Sequence, residues 1–474
     1  MIQPNVKEED LPFALENIAF AHMDRVKTFA VVLTRSALVR ARKCAGLDAP
    51  FLTALTVAVD DYREGDSLVW LTQASWPHLR SLECHYGTVR HLQALLRPTL
   101  TSLIVEYIEP CVTVEVLLDL LSGLPHLTTL KILHCLTPID SLPTAPPGSS
   151  APIVSLPQLR FFEIGEGAVG ISEAHLLNHL KFSSNTEVHF SNQVSSTLAD
   201  ISYIVSAFVA KASGVPGSMG SAKAFKVEEW LFFGTKISVY SQVVPDFWDR
   251  GEHILWDLER LSPTATLGLM GSQQDVVSSF ISQYPLSDVH SVCCRSSELD
   301  EMEPWHLLAQ LPSVQELHLE HTPRTAFACF LECLKEQHTF SSLQFLRLSH
   351  IVWNKCHSSA RRQDMRVGSL VPPLLRAIKY RQQHGPRLHT LQLPYAINLF
   401  ENDDEDLERL SRMVDKFRCS DWEDPDEPDE CSTCYSSGSE GETASDAEGS
   451  SDEDPETDET DTSDDLDADG EEEP

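Results

Sequence analysis

The chain has 474 residues, 42% of them hydrophobic, with 71 acidic against 36 basic residues and a net charge of −35. Residues 420–474 hold 25 of the acids and no Lys or Arg, so the remaining 419 residues form a body that is only mildly acidic, with a net charge of −10. That balance repels phosphate and disfavours nucleic acid or an anionic membrane surface as partner. The opening MIQPNVKEED is polar, no run of 18 apolar residues occurs, and twelve cysteines are irregularly spaced, so a cytoplasmic or nuclear chain with reduced thiols is expected.

Residues 1–24 are expected to form an N-terminal helical cap, with Leu11, Leu15 and Ile18 on one face. From residue 25 to 400 a hexapeptide recurs: apolar, two others, apolar, one other, apolar. It reads VKTFAV from Val26, then Leu52…Leu55…Val57, Leu79…Leu82…Cys84, Leu100…Leu103…Val105 and Leu127…Leu130…Ile132. It continues as Leu159…Phe162…Ile164, Val314…Leu317…Leu319, Leu343…Leu346…Leu348 and Leu388…Leu391…Leu393, with degenerate copies near Val188, Trp230, Leu267 and Val292. The lead-ins repeat too: WPHL, LPHL, LPQL and LPSV. The copies start about 30 residues apart, slightly more than the usual period of leucine-rich repeats. Each hexapeptide alternates as a strand does, with its apolar side inward. Between copies lie runs of helical period, such as Val114, Leu117, Leu118 and Leu121, closed by Gly123. Strand, helix and strand in repeated right-handed crossovers predict an α/β fold: a leucine-rich-repeat solenoid, a curved parallel sheet with outer helices.

Three insertions interrupt the period. Residues 137–157 contain six prolines and read as an extended loop, 211–224 are rich in Gly and Ser, and 354–367 form a basic loop. Residues 401–419 are expected to form a C-terminal capping helix, with Leu407, Leu410, Val414 and Phe417 in a stripe, acids at its start and bases towards its end. The 420–474 tail lacks core formers and is expected to be disordered. Ser437, Ser439, Ser445, Ser450 and Ser451 each precede an acid by three residues, a pattern that suits acid-directed phosphorylation.

The sequence carries no P-loop, GxGxxG, GxSxG or HExxH signature, so no enzyme activity, cofactor or metal is expected. His175 and His179 share a helix face, but no third ligand is identifiable and they read as neutral surface histidines. Cys431 and Cys434 form a CxxC without a second pair. The informative surface is the face opposite the core, where the third and fifth hexapeptide positions point. In order it offers Ser81 and Glu83, Ser102 and Ile104, Thr129 and Lys131, Phe161 and Glu163, Glu187 and His189, and Glu229 and Leu231. The far end offers Glu316 and His318, Phe345 and Arg347, and Thr390 and Gln392. Aromatic rings beside charges are what a protein-binding hot spot uses. A basic patch comprises Lys355, Arg361, Arg362, Arg366, Arg376, Lys379, Arg381 and Arg387 against one acid, Asp364. The acidic tail is expected to fold back on this patch when no partner is present, an attraction that salt would screen.

The lead-ins LPHLTTLKIL and LPQLRFFEI, the opening His22–Val31 and the stretch Ala49–Val57 resemble the repeat regions of fungal F-box/leucine-rich-repeat proteins. The resemblance spans residues 10–400. It implies repeats that select a substrate, and an amino-terminal F-box that docks on the adaptor of a cullin-type ubiquitin ligase. Leu11-Pro12 matches the Leu-Pro that opens an F-box, but the first repeat begins at Arg25, which leaves no space for its three helices. The expected function is therefore a non-enzymatic scaffold that binds a protein on the concave face of the repeats. A ubiquitin-ligase substrate-recognition subunit and an acidic-tailed chaperone for basic proteins are the alternatives.

Overall fold

The computed structural model describes residues 22–33, 49–59, 76–139, 152–167, 170–192, 197–212, 221–230, 234–242, 263–270, 272–295, 299–336, 339–354, 368–397, 399 and 403–421. The expected cap helix at 11–20, the tail from 422 with its CxxC and serines, and residues 140–151, 213–220 and 355–367 of the insertions lie outside the described residues. So do Lys355, Arg361, Arg362 and Arg366, and with them the expected contact between tail and patch.

The chain is mixed α/β. Its strands are β1 Thr28–Leu33, β2 Ala54–Val59, β3 Ser81–His85, β4 Ser102–Glu106, β5 Thr129–Leu133, β6 Val154–Leu156, β7 Phe161–Gly167, β8 Leu180–Phe182 and β9 Glu187–Asn192. They continue as β10 Ala224–Trp230, β11 Gly234–Tyr240, β12 Ala265–Met270, β13 Ser291–Arg295, β14 Glu316–Glu320, β15 Phe345–Ser349, β16 Thr390–Ala396 and β17 Lys416–Asp421. The α-helices are α1 Val89–Leu95, α2 Val114–Ser122, α3 Ile171–His179, α4 Leu198–Ala212, α5 Gln273–Gln283, α6 Met302–Ala309, α7 Arg324–Leu334, α8 Val371–His384 and α9 Asp404–Met413. Among the described residues, fifteen strands form one sheet in the order β1-β2-β3-β4-β5-β7-β9-β12-β11-β10-β13-β14-β15-β16-β17, while β6 and β8 pair separately.

The register explains the recurring hexapeptide. Leu55, Leu82, Leu103, Leu130 and Phe162 stand side by side on β2, β3, β4, β5 and β7, and the same row runs on to Leu317, Leu346 and Leu391. A second row, two residues along, holds Val57, Cys84, Val105, Ile132 and Ile164, and later Leu319 and Leu348. Every one of these side chains is buried, in one core shared with the inner faces of the helices. Helix α2 buries Val114, Leu117, Leu118 and Leu121 and has Gly123 at its C-cap, as its spacing predicts. Ser272 caps α5 by accepting from the Asp275 N–H at 3.4 Å, and prolines open α8. From α3 to α9, each helix packs against the next.

Two expectations are corrected. The strands are not parallel throughout, because β11 runs antiparallel to both β10 and β12. Only residues 231–233 join β10 to β11, which is enough for a hairpin and far too short for a crossover helix. As a result β10 lies three places from β9, and β12 and β11 fill the gap. The hexapeptide read at Trp230 is also out of register, by five residues, an odd shift that exchanges the two faces: β10 turns Phe225 and Val227 into the core rows, and its opposite face carries Lys226 and Glu228 rather than Glu229. Leu231 lies outside the described residues.

The capping helix is likewise shorter than its stripe. Helix α9 ends at Met413, and Lys416-Phe-Arg-Cys-Ser-Asp forms β17, parallel to β16. There Phe417 pairs with Leu391 and Cys419 with Leu393, extending both apolar rows by one strand. A helical stripe and a period-two pattern overlap at Phe417, and the available strand edge decides between them.

Candidate functional site

The face of the sheet away from the core divides in two. On β2 to β9 it is open. One row reads Ala54, Ser81, Ser102, Thr129, Phe161 and Glu187, and the next reads Thr56, Glu83, Ile104, Lys131, Glu163 and His189. All twelve side chains are partly exposed. Lys131 Nζ lies 2.6 Å from Glu163 Oε2 and 5.2 Å from the centre of the Phe161 ring. The Phe161 ring lies 5.1 Å from that of His189, whose Nε2 is 2.7 Å from Glu187 Oε1. Phe161, Glu163, Lys131, Glu187 and His189 therefore make one connected cluster across β5, β7 and β9. Half-exposed pairs of this kind add about 1 kcal/mol or less to stability, so the cluster does little to hold the sheet together.

A second cluster sits at the other end of the open face. Thr56 Oγ1 donates to Glu83 Oε2 at 3.0 Å, His85 Nε2 lies 3.1 Å from Glu83 Oε1, and His85 Nδ1 lies 2.7 Å from Glu106 Oε2. Sequence reasoning named Ser81 and Glu83 but missed His85 and Glu106, which occupy the seventh position of their repeats.

Beyond β9 most of the same face is buried, although Lys236 and Arg295 stay partly exposed. His318, Phe345 and Arg347 were expected on an open surface, but each is at most 7% exposed, as are Thr390 and Gln392. Glu316 alone of this expected group stays partly exposed. The His318 and Phe345 rings lie nearly parallel, 6.3 Å apart. Burial, helped by the charge of Arg347, holds His318 well below the ordinary histidine range. Lys226 is buried as well, 2.5 Å from Glu228 Oε2, while Lys236 reaches Glu228 Oε1 at 3.1 Å. Burial by itself would raise the Glu228 carboxyl; the two lysines outweigh it and hold the group below its usual value. Alternation decides which face a side chain takes. Whether that face meets solvent depends on the rest of the chain.

The basic patch does not assemble among the described residues. Arg376 and Lys379 are exposed on α8. Arg381 is buried and donates to the carbonyl oxygens of Thr339, Phe340 and Leu343 at 3.1, 2.8 and 2.9 Å. Arg387 donates to Met413 O at 3.0 Å and pairs with Asp415 at 3.3 Å, bracing the end of α9. His175 and His179 do share α3, but His179 is buried, its Nδ1 2.9 Å from the His175 carbonyl, so the pair is not a surface one. Cys84 and Cys294 are buried strand residues, as expected, and desolvation pushes the Cys84 thiol up to about 12.

One feature of the sheet's carboxyl edge has a sequence signal that the hexapeptide leaves out. Two residues beyond its last apolar position stands a ring: Tyr86, Tyr107 and His134 in one group, His321, His350 and Tyr395 in another. All six have positive φ, between 48° and 61°. This left-handed turn costs a non-glycine residue about 1–2 kcal/mol. It lets the amide keep pairing along the sheet, with Tyr107 N–H to Leu133 O at 3.0 Å and His321 N–H to Ser349 O at 3.1 Å. It also swings each ring onto its neighbour. Ring centres are 4.8 and 4.2 Å apart in the first stack, 4.3 and 4.8 Å in the second, with planes within 17°. The first stack ends where Gly165 on β7, at φ +154°, presses against β9: a Cβ there would fall 2.0 Å from Ser191 O.

Among the described residues no helix is long and apolar enough to cross a membrane. Neither protein-family models nor curated proteins give a match to this chain.

Proposed function

We propose that the sheet and its helices form a leucine-rich-repeat solenoid that acts as a non-enzymatic scaffold and holds a protein partner on the open face of β2 to β9. The observation that carries the reading is the cluster of Phe161, Lys131, Glu163, Glu187 and His189, partly exposed, aligned on adjacent strands and contributing little to the stability of the fold. The solenoid reading is supported by the two apolar rows and by helices that pack neighbour to neighbour in chain order. A partner suited to this face offers an apolar side chain to Phe161 and charges of both signs around it, with the ring as the desolvated centre.

The test is affinity purification from cells that express the protein, followed by binding measurements on whatever partner is recovered. Phe161→Ala should weaken the complex about 10-fold or more, the usual effect of truncating a central aromatic. Lys131→Glu should do the same, and Arg376→Ala on the far side of the chain should bind as the unaltered protein does. Equal affinity for all three variants would refute the assignment of this face.

A further inference from the structure

The second ring stack brings together three metal-ligating atoms that the protein-binding reading does not use. Glu320 closes β14, His321 follows it in the left-handed turn, and His350 occupies the same turn after β15. The Glu320 side chain is 2% exposed. Its Oε1 lies 3.9 Å from His321 Nε2 and 4.0 Å from His350 Nδ1, and the three donor atoms all fall within 4.8 Å of one another. Arg295 approaches the other carboxylate oxygen, Oε2, at 3.6 Å. The carboxylate is thus oriented with one oxygen towards Arg295 and the other towards the imidazoles, which is how an outer partner fixes a ligating carboxylate.

We propose that Glu320, His321 and His350 form a binding site for a divalent transition ion of the zinc class. Two imidazoles and one carboxylate are the donor set such ions select, whereas calcium and magnesium take oxygen ligands. Three protein ligands leave a coordination position for water, and exposed His321 gives solvent a way in. Bonds of about 2.0–2.2 Å in a tetrahedral site put ligand atoms about 3.3 Å apart, so binding shortens the two separations between Glu320 Oε1 and the histidine nitrogens by about 0.6 Å. It also turns the two imidazoles about χ2 out of their parallel stack. The strained backbone of both histidines holds their side chains at one spot on the carboxyl edge, and strain of this kind collects at functional sites. The chain carries its own comparison. Glu106, Tyr107 and His134 occupy the equivalent places in the first stack, with a tyrosine where His321 stands, so that stack lacks the second imidazole.

The proposal stands apart from the protein-binding reading and is tested without a partner. The full-length chain with Cys431→Ser and Cys434→Ser, which removes the tail thiols as competing ligands, is titrated with cobalt(II) and followed by visible absorption. One equivalent should bind with nitrogen–oxygen ligand-field bands and no thiolate charge transfer. His321→Tyr restores the residue of the first stack at that place, so it should keep the melting temperature while weakening cobalt binding about 100-fold or more. His350→Tyr should do likewise. X-ray absorption of the same chain with Cys431→Ser and Cys434→Ser, loaded with zinc, should show two imidazoles and no sulfur. Failure to take up an ion, binding by either histidine variant as tight as that of the parent chain, or a sulfur-containing shell would each overturn the proposal.

Discussion

Arg381 offers the sharpest test of how this chain uses its charge. Read as part of a basic patch, it would act on a distant partner, and any cation would serve. Its surroundings say otherwise: it is 5% exposed on α8, and its guanidinium donates to the carbonyls of Thr339, Phe340 and Leu343 in the turn that leads from α7 into β15. Burial lowers its pKa only to about 10, so it stays charged at neutral pH. Phe340 O also accepts from the Leu343 N–H at 3.0 Å and would keep that bond if the arginine were removed. The carbonyls of Thr339 and Leu343 would lose the guanidinium. Thr339 is only partly buried, so water can satisfy its carbonyl. The buried Leu343 carbonyl left without its partner costs about 1–3 kcal/mol, and Arg381→Met should destabilise the protein by about that much. Arg381→Lys keeps the charge but lacks the planar fork, and should recover only part of that loss. Urea unfolding followed by circular dichroism reads the total. Amide exchange over 339–346 should rise first in Arg381→Met. Arg376→Ala and Lys379→Ala, both exposed, should stay within about 0.5 kcal/mol of the unaltered chain. A loss below about 1 kcal/mol for Arg381→Met, or full rescue by lysine, would refute the structural role.

Other outcomes follow from the same contacts. Leu346 sits fully buried in the first apolar row, between Leu317 and Leu391, so Leu346→Ala should cost about 2–5 kcal/mol in the same urea assay. Gly165→Ala forces a methyl group against Ser191 O and should cost about 3 kcal/mol, whereas Gly123→Ala, whose Cβ would meet nothing closer than 3.8 Å, should be nearly neutral. Thiol alkylation of the native protein at pH 8, mapped by peptide mass spectrometry, should modify exposed Cys111 quickly. It should spare Cys84, Cys135, Cys293 and Cys333, which are buried and whose thiols desolvation pushes up to about 12. Rapid native labelling of Cys84 would contradict its place in the core.

The hexapeptide identified the inward residues correctly for strands such as β3, β4, β5 and β15, because the pleat alternates side chains residue by residue and needs no distant partner to do so. The same local logic placed the buried face and C-terminal glycine of α2. It also picked out Lys131, Phe161, Glu163, Glu187 and His189, whose contacts lie on neighbouring strands in the same register. What it left open was every question answered by residues far away in the chain. The antiparallel β11 follows from a three-residue connection and from which strand edges were available, and β17 replaces the end of a helix because β16 presents such an edge. His318 and Arg347 carry polar side chains at an outward position, yet the face they share is buried. Arg381 advertises a charge, but a residue letter does not specify that three carbonyls converge on it. The sequence alone thus determined the period of each strand and helix, which is local stereochemistry. Only the tertiary structure decided strand order, which half of the sheet's second face meets water, and which rings and charges meet, because those are set by packing between segments that the chain brings together only on folding.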